Sequence, residues 1–198
     1  MLVTAIEPRK KSMSAVYIDG EFAVKLDTMT LLENKIKVGT ELTDEKLHEI
    51  INKSDERRAK EKALNLITYR DHSKKELVDK IKRTCSEEMA EQAAQQMEEL
   101  GLVDDRVFAE KYAKELLRKK HMSAKAIKYK LREKGISDTI SEEIILQLEI
   151  DPYEEIKQVL EKKYYDYDTN EKTKKRAISA LQRLGWSWSD IKSAMENE

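Results

Sequence analysis

The stretch SAKAIKYKL, Ser123–Leu131, decides the fold, because the chain writes it three times at one interval. SKKELVDKI stands fifty residues earlier (Ser73–Ile81) and TKKRAISAL fifty residues later (Thr173–Leu181). Each copy places two apolar residues four apart: Leu77 and Ile81, Ile127 and Leu131, Ala177 and Leu181. That spacing puts both on one face of a helix, which then has a stripe to bury. The agreement extends past the stripe. Ser73 with Glu76 reads as a capping box, and Ser123 caps the matching helix with Met122 and Ile127 placed as a hydrophobic staple. Gly135-Ile136-Ser137 is matched by Gly185-Trp186-Ser187. Caps, core and glycines sharing one offset mark a repeated unit.

Three helices fill each unit. The first copy predicts helices over 55–70, 74–83 and 86–100; the second over 105–119, 124–134 and 138–149; the third over 152–165, 170–184 and 188–196. Asp151-Pro152 supplies a cap and a proline at the first helical position, and Ser187 with Asp190 a further cap stapled by Trp186 and Ile191. Gly101, Gly135 and Gly185 stand where helices end. In the third copy the middle helix starts a turn early, at Asp168 or Asn170.

Residues before Ser54 read differently. Val16 and Ile18 alternate with Tyr17, and Phe22, Val24 and Leu26 alternate with Ala23 and Lys25, with Asp19-Gly20 between them as a type I′ hairpin turn. Leu2 to Ile6 adds a third strand across the loop Pro8-Arg9-Lys10-Lys11. Short helices follow, one from Asp27 to Lys35 and one from Thr43 to Asn52 carrying Leu47, Ile50 and Ile51. The expected fold class is therefore mainly α: three tandem three-helix repeats, elongated, with a small N-terminal β-hairpin-containing module. The expected divisions are 1–53, 54–103, 104–150 and 151–198.

Composition agrees with small units rather than one large core. Of 198 residues 39% are charged and 6% aromatic, with 5 Gly and 2 Pro. A single cysteine, Cys85, has no internal disulfide partner, and neither a leader-like start nor a run of 18 apolar residues occurs; a cytoplasmic protein without membrane contact is expected.

Sequence motifs for catalysis are missing. Neither a phosphate-cradling glycine loop nor a zinc-like Cys/His spacing occurs, and no base is placed for Cys85 as a nucleophile. His48, His72 and His121 are scattered; His72 and His121 precede helix caps and read as surface residues. Asp104-Asp105 and Glu142-Glu143 read as first-turn acids that complement a helix dipole. The reading is of a protein that is no enzyme, with neither cofactor nor metal.

One local charge signal stands out of a net charge of -1. Residues 111–134 hold ten Lys or Arg against Glu115 and Glu133 alone. Such a window points to an anionic partner. Lys125, Lys128 and Arg132 share one face of the predicted 124–134 helix, and Lys119 and Lys120 close the helix before it. Tyr164, Tyr165 and Tyr167 cluster in the third copy, where packing between repeats is expected in preference to base stacking.

LGLVDDRVFAEKYAKELLRKK (100–120) followed by MSAKAIKYKLREKGI (122–136) resembles the RecX family of recombinase regulators. ALNLITYRDHSKKELVDKIKR (63–83) is similar to that family's first repeat, and RAISALQRLGWSWSDI (176–191) to its closing one. The leading hairpin segment is similar to an N-terminal extension of Gram-positive members. The resemblance implies a protein that binds the RecA filament and modulates, mostly inhibits, its recombinase and ATPase activity in DNA repair; a monomer is expected. It also implies DNA, single- or double-stranded, as a further partner of some members. The residues expected to meet RecA or DNA are Lys111, Lys114, Arg118, Lys119, Lys120, Lys125, Lys128, Lys130 and Arg132. The alternative is an independent nucleic-acid-binding protein of helix-turn-helix-like units, which a near-neutral charge and a 124–134 helix without Asn or Gln disfavour. A tetratricopeptide array would repeat at 34 residues rather than fifty.

Overall fold

Helix starts in this chain are written by short polar side chains. Asp27, Thr43, Ser73, Ser86, Asp104, Ser123, Ser137, Asp151 and Asn170 each sit at an N-cap with extended backbone and accept a hydrogen bond from an amide of the first turn. Ser187 and Asp190 cap the last helix reciprocally: Ser187 N–H donates to Asp190 at 3.2 Å and Asp190 N–H to Ser187 Oγ at 3.1 Å. The structure, a computed structural model, describes residues 1–196.

Strands β1 (Val3–Pro8), β2 (Met13–Ile18) and β3 (Glu21–Asp27) form an antiparallel sheet in the order 1-2-3. Asp19 (φ 50°) and Gly20 (φ 91°) make the two-residue turn between paired Ile18 and Glu21. Both residues need positive φ there, which Asp tolerates and Gly adopts freely. Helix α1 (Thr28–Glu33) follows, capped by Asp27.

Helix α2 (Asp44–Tyr69) corrects the sequence reading. Two helices were expected over 43–52 and 55–70; they are one, and the division expected between 53 and 54 falls inside it. The sequence reading began the first helical repeat at Ser54. Instead it is buried, and its Oγ accepts the Asp27 N–H at 2.8 Å. Arg57 reinforces the junction, its Nε 3.2 Å from Asp27 and its Nη1 2.8 Å from Glu33. One helix thus serves two cores. Ile50 packs with Val3, Val16, Leu26 and Leu31 of the module, while Ala59 and Ala63 pack into the first repeat.

Repeat 1 comprises α2, α3 (Lys74–Ile81) and α4 (Glu87–Glu99); repeat 2, α5 (Asp105–Lys120), α6 (Ala124–Glu133) and α7 (Asp138–Gln147); repeat 3, α8 (Pro152–Lys163), α9 (Glu171–Arg183) and α10 (Trp188–Glu196). Leu77, Ile81, Ile127, Leu131, Ala177 and Leu181 are all 0% exposed, so the stripe that defined the repeat is its core in every copy. Each fully buried Leu or Ile of that set contributes about 1.5–3 kcal/mol. Of the two starts open for the third middle helix, Asn170 is the cap.

Two compact units result, Met1–Val103 and the described residues from Asp104 onward. Within the second, repeats 2 and 3 are fastened together. Ser123 N–H donates to the Leu184 carbonyl at 3.0 Å, His121 Nδ1 lies 2.7 Å from Glu155 Oε2, and Ile150 and Leu184 pack against both cores.

Candidate partner-binding surface

In α5 the buried residues Phe108, Ala109, Ala113 and Leu116 leave Lys111, Lys114 and Arg118 on the outer face, three and four residues apart. Lys119 is exposed but holds Glu115 at 2.8 Å, a bond that keeps the Glu115 carboxyl below its ordinary pKa. Lys120 is the last residue of α5 and exposed.

In α6 the exposed face is centred on Tyr129, 61% exposed, with Lys125 one turn before it and Arg132 nearly one turn after. Neither Lys125 nor Arg132 has an ion pair among the described residues. The face shared by Lys125, Lys128 and Arg132 in the sequence reading is narrower in the structure, because Lys128 is turned toward α7. Its Nζ lies 2.6 Å from Glu142 and 3.6 Å from Asp138, and the hydrogen bond to Glu142 raises its pKa. Lys130 reaches Glu133 at 2.7 Å, with its pKa raised by that bond, and stands 5.7 Å from the Tyr129 ring centre. Lys134 lies 5.8 Å from the Tyr112 ring centre of α5. Eight of the nine expected residues thus divide: Lys119, Lys128 and Lys130 are held by carboxylates of their own repeat, while Lys114, Arg118, Lys120, Lys125 and Arg132 face solvent without an ion pair among the described residues; Lys111, the ninth, is exposed on α5 and is not without a partner. Sequence reasoning missed Tyr129 as the crest of this face, although its spacing from Lys125 and Arg132 was there to find.

The acids and histidines also differ from expectation. Asp104 and Asp105 begin α5 as expected, but Glu142 and Glu143 lie in the second turn of α7 and pair with Lys128 and Arg106. His72 and His121 are buried, 3% and 7% exposed, not on the surface. His72 Nδ1 is 2.8 Å from the Arg70 carbonyl oxygen and its Nε2 2.9 Å from Lys80 Nζ. Tyr164 and Tyr167 are half-buried and pack against the third core, and Tyr165 is 81% exposed. Among the described residues no three His, Cys, Asp or Glu side chains come together as a metal site, and no helix is long and apolar enough to cross a membrane.

These features define a class: a tandem of capped three-helix units with a basic outer face on the second. Comparison with known proteins is specific about it. The profile of "RecX, second three-helix domain" matches residues 104–145, and that of "RecX, first three-helix domain" residues 59–97. A "Regulatory protein RecX" of Caldanaerobacter subterraneus subsp. tengcongensis is 32% identical, over 88% of this chain and 90% of its own. That of Clostridioides difficile is 28% identical, over 96% and 90%. The chain belongs to the RecX family of regulatory proteins. A crystal structure of regulatory protein RecX shares the fold, with a TM-score of 0.65 at 22% identity over 99% of both chains.

Proposed function

We propose that this protein binds the filament of the RecA recombinase through the exposed cations of repeat 2, and so modulates, mostly inhibits, RecA's ATPase and recombinase activity in DNA repair. The observation that carries the reading is the face of α6, where Lys125 and Arg132 flank exposed Tyr129 and no carboxylate among the described residues pairs with either. Cations left uncompensated attract an acidic partner surface, and Tyr and Arg are the residues that most often anchor interfaces. Lys114 and Arg118 on α5 add to the positive field. Repeats 2 and 3 are fastened together, so contacts made by both count as one binding event and weak contacts reinforce each other. On this reading the protein works in the cytoplasm as a monomer and needs neither cofactor nor metal.

The test is suppression of RecA's single-strand-dependent ATPase by wild type and by Lys125→Glu/Arg132→Glu. Both residues are exposed, so the variant folds, which its melting curve checks. The variant should need about tenfold more protein for half-suppression, the equivalent of 1.4 kcal/mol. Full suppression at wild-type concentration by a folded variant would remove α6 as the contact.

A further inference from the structure

Repeat 3 carries a second cationic surface, outside the 111–134 charge window. Tyr164, Lys172, Lys175, Arg176, Ser179 and Arg183 line an open hollow of about 430 Å³, and no carboxylate lines it. Counted from Lys172, the other four from α9 stand three, four, seven and eleven residues on, which places all five on one face. It is the face turned away from Ala177 and Leu181, both 0% exposed. Lys172, Lys175, Arg176 and Arg183 have no ion pair among the described residues.

Repeat 1 carries the counterpart. On α4 the exposed residues Glu91, Gln92, Gln95 and Glu99 follow exposed Glu88 at the same intervals of three, four, seven and eleven. Ala90, Ala93, Ala94 and Met97 occupy the opposite, buried face. Glu88, Glu91 and Glu99 have no ion pair among the described residues. Gln92 Nε2 donates to Glu88 at 3.4 Å and Gln95 Nε2 to Glu99 at 3.0 Å, which leaves both charges in place. Lys74, at the rim, is engaged by Glu98 and Gln95, and Lys82 by Glu87 and Asp79.

The two faces match in length and oppose in sign. Each runs about 16 Å at 1.5 Å per residue. Laid together in either sense, they bring Glu88 and Glu99 to the ends marked by Lys172 and Arg183. Like charges three or four residues apart destabilise a helix. Lys172 with Lys175 and with Arg176 are such pairs on α9, and Glu88 with Glu91 on α4, so one contact relieves both helices. We infer that the α9 hollow docks the α4 face of a second copy of this chain. The surfaces differ, so the contact is head-to-tail and passes from copy to copy instead of closing as a two-fold pair. No aliphatic side chain lines the hollow, and exposed ion pairs are weak and screened by salt. The dilute chain is therefore a monomer, and the contact acts where copies are held close together.

Sedimentation velocity of the full chain alone, over rising concentration at low and at high salt, tests this. The wild type should associate at low salt and return to monomer at high salt. Lys175→Gln/Arg176→Gln and Glu88→Gln/Glu91→Gln each spoil one face at exposed positions. Each should need about tenfold more protein to associate. Mixed in equal amounts, the two variants retain one intact face of each kind and should form a one-to-one pair. A wild type that stays monomeric at low salt, or either variant associating as readily as wild type, would overturn the inference. So would a mixture that associates no better than its parts or grows past the pair. Equal loss in Lys125→Gln/Arg132→Gln, whose α4 and α9 are intact, would overturn it too. RecA is absent throughout, so this outcome is separate from that of the ATPase test on α6.

Discussion

Trp186 Nε1 donates a 2.9 Å hydrogen bond to the carbonyl oxygen of His121, tying the start of the last helix of repeat 3 to the end of the first helix of repeat 2. Trp186 is only 5% exposed and also packs in the third core, so it serves one repeat with its ring and the other with its N–H. Trp186→Phe keeps most of the ring and removes the donor. A buried acceptor left without its partner costs about 1–3 kcal/mol. For a unit of this size 1 kcal/mol lowers Tm by about 4–8 °C. A thermal melt should therefore show a loss of about 5–15 °C for the transition of the second unit, and a shift within error of zero would show that the bond contributes nothing.

Gly185 and Gly101 should respond differently to alanine. Both have positive φ, 91° and 69°, and both end a helix, so each substitution carries the strain of a left-handed backbone, about 1–2 kcal/mol. At Gly101 a Cβ meets nothing within 4 Å. At Gly185 it would lie 2.4 Å from Ser123 Oγ and 2.6 Å from Ala126 Cβ, across the junction of repeats 2 and 3. Gly185→Ala should thus cost at least about 2 kcal/mol more than Gly101→Ala, from overpacking added to strain. Urea unfolding of both variants checks the order, and equal losses would show that the junction opens freely.

His72 gives the first unit a pH dependence of known sign. Burial, together with the positive charges of Arg70 and Lys80, holds its pKa below the ordinary histidine value, against the pull of the Arg70 carbonyl and of Glu76. The neutral ring with the proton on Nδ1 satisfies both contacts, donating to the Arg70 carbonyl and accepting from Lys80. Below about pH 6.5 the unfolded chain takes up a proton that the native ring refuses, so stability falls as pH drops from there toward the lowered native pKa. Above that window the effect vanishes. Urea midpoints from about pH 7.5 to about pH 5.5 should decline in the wild type and decline less in His72→Gln. Parallel curves would show that His72 is as easily protonated folded as unfolded.

Local signals carried much of this architecture. Capping residues write helix starts within a few residues, because the amides they satisfy are three positions away at most, and nine of these caps bond as such signals imply. Asp19-Gly20 likewise settled the hairpin through its own backbone preferences. Ser54 is the informative failure. Its hydroxyl is a good cap, but the Asp27 amide, 27 residues earlier, claimed it, and only the packing of α2 on the sheet brings the two together. His72 and His121 failed as well: polar side chains flanking a cap are normally wet, but Glu155, 34 residues on, partners His121, and the Arg70 carbonyl and Lys80 partner His72 close by in the chain.

The basic face was legible only as composition. Ten cations in one window are visible in any reading of residues 111–134, yet which of them remain uncompensated depends on acids elsewhere, such as Glu142 on α7 for Lys128.

By itself the order of residues determined the helices, their caps, the fifty-residue period and the six stripe positions, since these depend on neighbours within a turn or two. Tertiary structure decided the rest: that α2 runs unbroken through two cores, that repeats 2 and 3 lock through Trp186 and Gly185, and which cations stay free to attract an anion. A charge is compensated, and a polar group satisfied, by whatever folding brings within 3 Å or so, and sequence distance does not predict that neighbour.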